Sequence, residues 1–206
     1  MLIVRLLCAT VLASSLLLIG INRLLAAKYQ TLVWEAEDVQ HLSGKAFKVE
    51  PYADDPAGEV SGKKVLAVPK VPHWQKIAVD EVTYKVKIPE TGIYYLWMRA
   101  FWHTADCAPM LGVKVQGYEK HELRIGGDAT FDCLHWVYLS DGVGNSNHPR
   151  PLKLKQGMVA ITLNTRHQSG FKLDEFLLTN DKGIEVQGAY KPTVPSVLVK
   201  DAPAKK

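Results

Sequence analysis

The chain has 206 residues, 47% of them hydrophobic, and a formal net charge of +4. That length holds one domain plus extensions. Lys and Arg are spread without a dense run apart from Lys205-Lys206, which argues against nucleic acid as a partner. Gly and Pro are frequent and helical periodicity is almost absent after residue 30, so the expected class is all-β.

The N-terminus is different. Leu6 to Ile21 is free of charge and lies between Arg5 and Arg23, as in a secretory signal or a short membrane anchor. Cleavage after Ala26 or Ala27 would leave Leu24 or Leu25 where a small residue is wanted. The expectation is therefore an uncleaved N-terminal hydrophobic helix over residues 1–27. It would tether the chain to a membrane, with the remainder on the periplasmic or extracellular side.

Beyond Lys28–Gln30, Leu32 to Asp38 is read as the first strand, carrying Trp34, Glu35 and Glu37. His41-Leu42-Ser43-Gly44 is read as a turn. Short strands are expected at Phe47–Glu50 and Val65–Val68, separated by a loop over residues 51–58 rich in Pro, Asp and Gly. A second loop runs from Pro69 to Trp74. Glu81 to Ile88 alternates apolar and polar residues, the pattern of a half-buried strand. Pro89-Glu90-Thr91-Gly92 follows as a tight turn, and Ile93 to Trp102 is apolar on both faces except at Arg99. These two strands read as a hairpin. Further strands are expected at Gly112–Gln116, Glu122–Ile125, His135–Leu139 and Met158–Thr165. Gly170 to Thr179 closes the domain. About ten short strands at this spacing predict an antiparallel β-sandwich over residues 28–183. Residues 184–206, with Pro192, Pro195 and Pro203, read as an extended Pro-rich tail.

In the closing strand Phe171, Leu173 and Leu177 are assigned to one face and Phe176 and Leu178 to the other. Asp174 shares the second face, where a carboxylate must be paired, hydrogen-bonded or metal-bound. The acid-bearing first strand is its expected partner.

Trp34-Glu35-Ala36-Glu37, the segment Val82 to Leu96 with its Pro-Gly turn, Leu152 to Gly157, and Phe171-Lys172-Leu173-Asp174-Glu175-Phe176 follow one another in an order that resembles carbohydrate-binding modules of families 6 and 35. The resemblance covers roughly residues 31–181 and implies a galactose-binding-like jelly roll without catalytic machinery. It also implies a structural calcium ion held by Glu35, Glu37 and Asp174, a hard-oxygen set suited to that cation. For a glycan it implies an aromatic platform from Trp74 and Trp136. Lys172 stands where the family often carries an Asn. Trp97 and Trp102 are expected in the core or a groove.

Cys107 and Cys133 lie 26 residues apart. In an exported domain they are expected to pair, adding about 3–4 kcal/mol in the chain-entropy model. His103, Asp106, Cys107, Cys133 and His135 could instead gather round zinc, although their spacing is not a standard one. No nucleophile elbow or phosphate loop is present, so the chain is not expected to be an enzyme. The leading expectation is a membrane-tethered glycan-binding sandwich. The alternative is an accessory subunit of a membrane complex, using the anchor, the sandwich and the C-terminal arm as contacts.

Overall fold

The computed structural model describes residues 29–52, 60–72, 75, 77–103, 109–120, 123–140 and 149–188. The helix expected over residues 1–27, and the tail beyond residue 188, lie outside them. No described helix is long and apolar enough to cross a membrane.

Among the described residues twelve strands form the fold: β1 (Thr31–Glu35), β2 (His41–Ser43), β3 (Lys48–Pro51), β4 (Lys64–Val68), β5 (Glu81–Ile88), β6 (Gly92–Trp102), β7 (Met110–Val115), β8 (Leu123–Gly126), β9 (His135–Ser140), β10 (Leu152–Leu154), β11 (Gly157–Asn164) and β12 (Phe171–Thr179). They make one curled antiparallel sheet in the order β2-β5-β11-β7-β8-β9-β6-β12-β4-β3, with β1 on β12 and β10 on β6. The curl brings β2-β5-β11-β7-β8 over β6-β12-β4-β3, with β9 bonded to both β8 and β6 at the corner. Between the two layers lies the core.

Alternation decides which side chains enter it. Val82, Tyr84, Val86 and Ile88 of β5 are buried in the core, as are Val159, Ile161 and Leu163 of β11. At the centre the Trp34 and Phe176 rings stack with centroids 5.4 Å apart, and Tyr84 meets Phe176 at 5.1 Å. Tyr84 reaches across the layers to donate its hydroxyl to the Ala36 carbonyl at 2.6 Å.

Three expectations are corrected. His41 to Ser43 is a strand, paired with Glu81–Thr83, not a turn. β5 and β6 are not hairpin partners. β5 pairs with β2 and β11, and β6 with β12, β9 and β10. The Pro89–Thr91 turn thus carries the chain from one layer to the other. It is pinned by Gln156, whose side-chain amide donates to the Pro89 carbonyl at 2.9 Å and whose backbone N–H donates to Thr91 Oγ1 at 3.0 Å. The physical reason is the burial of β6 on both faces. It needs neighbours on both edges and cover above and below, which an alternating, half-exposed partner could not supply.

The third correction concerns β12. Its register against β6 slips between Leu173 and Glu175, leaving Asp174 as the extra residue of a β-bulge. A bulge reverses the side-chain parity. Phe171, Leu173, Phe176 and Leu178 therefore all face the core, and Asp174 does not share their face.

Candidate metal and ligand sites

The bulge sits where β12 changes partner on one edge. Residues 171–173 pair with β4, and residues 175–179 pair with β1. In the gap between these strands the end of β1 meets the turn before β4. The Ala36 N–H donates to the Asp174 carbonyl at 2.8 Å. The Ser61 N–H donates to Asp174 Oδ1 at 3.0 Å, and the Ser61 hydroxyl donates to Glu35 Oε2. Arg99, alternating with the core residues Met98 and Ala100, donates from Nη1 to Asp174 Oδ2 at 2.7 Å. It also lies 4.0 Å from Glu175 Oε2. Asp174 and Glu175 are fully buried and Arg99 nearly so.

Glu37 follows the end of β1, and its Oε1 occupies the space beside Gly62. A Cβ on that left-handed glycine (φ +64°) would lie 2.8 Å from Glu37 Oε1, so a side chain here would strain the backbone and make the carboxylate shift. Glu37 Oε2 is buried and has no hydrogen-bond partner.

The carboxylates feel one another. Burial raises Glu37 to about 7, helped by the charges of Glu35, Asp38 and Asp174. Burial raises Asp174 to about 6 against the pull of Arg99. Glu35 and Asp38 are also raised by burial. Glu35, Glu37 and Asp174, expected together from the two ends of the chain, do converge here. Among the described residues, however, no three His, Cys, Asp or Glu side chains are arranged as a metal shell. Arg99 and Ser61 take up the oxygens of Asp174, and Ser61 takes one of Glu35. An orphaned buried carboxylate oxygen among raised acids nonetheless fits a hard cation in its chemistry. Asp38, Ser61, Arg99 and Glu175 are the members of this cluster that sequence reasoning did not assign. The only available signal was Arg99, the one charge in an otherwise apolar strand.

Lys172 lies on the outer side of β12 opposite Phe101 of β6. Its ammonium stands 5.2 Å from the Tyr52 ring centroid and 5.4 Å from that of Phe101, within cation–π range of both. A groove of about 160 Å³ opens beside it, lined among others by Glu50, Lys70, Phe101, His103 and Lys172. Phe101 is buried and His103 packs edge-on against it at 4.6 Å. Tyr52, Phe101 and Glu50 were not singled out in the sequence, because nothing in the chain order shows that β3, β6 and β12 approach one another.

Of the two rings expected to form an aromatic platform, only Trp136 is among the described residues. Trp74 lies outside the described residues. Trp136 sits on β9 opposite Arg99, does not line the groove, and donates its indole N–H to the Gly188 carbonyl at 2.7 Å. Trp102 is fully buried in the core, whereas Trp97 packs edge-to-face on Tyr138 at 5.4 Å.

The predicted disulfide is absent among the described residues: Cys133 is a free thiol and Cys107 lies outside them, as does Asp106 of the zinc set. The two histidines of that set are engaged separately, His103 with Asp132 at 3.1 Å and His135 with Asp128 at 3.0 Å.

Comparison with solved structures returns the fold that the sequence order resembles. The C-terminal family 6 carbohydrate-binding module of a marine laminarinase from Zobellia galactanivorans aligns with 73% of this chain and 100% of its own, at 13% identity and a TM-score of 0.49. A family 35 module from Clostridium thermocellum aligns with 72% of this chain and 97% of its own, at 12% identity and a TM-score of 0.48. The GH26-CBM35 β-(1,4)-mannanase of Podospora anserina aligns with 79% of this chain but only 29% of its own, at 15% identity and a TM-score of 0.50. No family model and no curated protein matches the chain. The likeness, carried by the mannanase at a TM-score of 0.50, is one of fold.

Proposed function

We propose that this domain is a non-catalytic glycan-binding sandwich. Its ligand would meet the groove at Lys172, and a calcium ion held by Glu35, Glu37 and Asp174 would stiffen the join between β1, β4 and β12. Residues 1–27 would tether it to a membrane, with the sandwich on the extracytoplasmic side. The observation that carries the reading is Lys172 itself. Its ammonium is held by two rings at the mouth of a groove on the sheet's outer face. A long flexible cation fixed in this way loses less freedom on binding. It offers hydrogen bonds to ligand hydroxyls or acid groups, with Glu50 and His103 lining the same groove.

Calcium, when bound, would supply charge neutralisation among the buried acids and no chemistry on the ligand. Affinity electrophoresis in gels containing soluble plant, algal and bacterial polysaccharides tests the glycan reading. Retardation is expected in at least one gel and should fall roughly tenfold in apparent affinity, about 1.4 kcal/mol, for Lys172→Ala. Free migration in every gel, or equal retardation of the variant, would overturn it.

A further inference from the structure

The sheet ends differently at its two edges. At one end β2 is only three residues long, and beyond it the backbone of β5 is met by a side chain. Gln40 Oε1 accepts the Lys85 N–H at 2.8 Å, and Gln40 Nε2 donates to the Lys85 carbonyl at 3.3 Å. A carboxamide thus stands in for a neighbouring strand. At the other end β3 is paired with β4. Among the described residues no strand pairs with its outer edge.

The ladder shows which backbone groups of β3 reach that edge. The Tyr52 N–H donates to the Lys63 carbonyl at 3.1 Å, in register with the pairs Pro51↔Lys64 and Glu50↔Val65. Antiparallel ladders alternate bonded and non-bonded pairs. Glu50 and Lys48 therefore bond inward to β4, and Val49 and Pro51 turn their backbone groups outward. Pro51 has no N–H, so it sits where that lack costs the inner ladder nothing. Val49 offers both an N–H and a carbonyl. Its side chain is 44% exposed although it lies opposite the buried Leu66. Lys48 and Glu50 flank it on the sheet's outer face, where Lys48 shares a row with Ala67, Lys172 and Phe101.

The segment Lys48-Val49-Glu50 is complementary to its own reverse. In an antiparallel pair centred on Val49, the two valines exchange both backbone hydrogen bonds. Lys48 of each chain then stands opposite Glu50 of the other. Centring the pair on Lys48 or on Glu50 would instead set like charges face to face and turn the backbone groups away. Edges are commonly guarded against pairing by charges, lysine above all. Here each lysine would meet a glutamate, and opposite charges across strands favour pairing.

We propose that β3 is a docking edge for a second copy of this chain, joined β3 to β3 about a two-fold axis at Val49. A second copy brings the reversed charge pair by symmetry. The contact is short, so the dimer is weak and depends on concentration. It sets the two Lys172 side chains on one face of a continuous sheet, five strand spacings or roughly 24 Å apart. The pairing itself does not depend on what the Lys172 groove binds.

Sedimentation velocity of the full chain in density-matched detergent tests it. The mass is expected to rise with concentration from 22.9 kDa toward twice that value. Lys48→Glu and Glu50→Lys each place like charges across the axis and should weaken self-association roughly tenfold or more. An equimolar mixture of the two variants should dimerise again, because two glutamates of one chain then face two lysines of the other. Neither a folding defect nor association through residues 1–27 would give that recovery. Single variants that dimerise as the parent does, or a mixture that fails to recover, would overturn the β3 contact. So would a parent chain that stays monomeric at every concentration. In that case hydrogen exchange names the occupant: a slow Val49 amide means another segment of the same chain covers the edge, and a fast one means that it is bare.

Discussion

Arg99 is the only buried cation among the described residues, and it faces two buried carboxylates. In the sequence it is a lone charge in an apolar strand, which marks it as unusual without saying what it meets. Its partner was half legible: Asp174 stands out on an apolar strand and demands compensation. The compensation anticipated was a metal, and the structure supplies an arginine as well, because β6 and β12 are neighbours only in three dimensions. Removing one partner of a buried pair leaves the other uncompensated. Arg99→Met is expected to cost about 3–5 kcal/mol, read as a lower urea midpoint with an unchanged slope. A loss below about 1 kcal/mol would mean that the acids are solvated or neutralised without Arg99.

At the scale of elements, the strands were legible because alternation is local. β5 and β11 fall within a residue of where their periodicity places them. Pairing was not legible in the same way. The short turn after β5 looks like a hairpin, and only the double-sided burial of β6 overrides it. The bulge at Asp174 was also invisible, since one inserted residue leaves no mark on composition yet moves Phe176 and Leu178 to the face of Phe171. What joins the layers at this end is largely Tyr84. Its ring packs against Trp34 and Phe176 while its hydroxyl holds the Ala36 carbonyl just past β1. Tyr84→Phe keeps the ring and leaves that carbonyl unpaired by the hydroxyl. It is expected to cost about 1–2 kcal/mol and to raise amide exchange at residues 35–37 more than elsewhere. Uniform exchange with no loss of stability would show that the end of β1 is held by β12 alone.

For the molecule as a whole, the acid cluster ties stability to pH. Glu37 stands at about 7 in the fold against 4.5 in the unfolded chain, and Asp174 at about 6 against 3.8. Both are raised, so the folded state holds protons that the unfolded chain releases. The stabilisation is complete below about pH 4 and is lost as pH rises through 6 and 7. Glu37 is only half-buried, and solvent screening reduces its share to about 1–2 kcal/mol. Without metal, the melting temperature is expected to fall by several degrees between pH 5 and pH 8. Calcium favours the ionised carboxylates, so adding it should restore the loss at pH 8 and do little at pH 5. Glu37→Gln should flatten the pH slope and blunt the calcium response together, because one side chain carries both. Thermal melts of the two proteins, in calcium and in chelator at each pH, decide the matter. A calcium response that persists in the variant would place the ion elsewhere, and a melting temperature that rises with pH in chelator would show that these acids do not set the stability of the join.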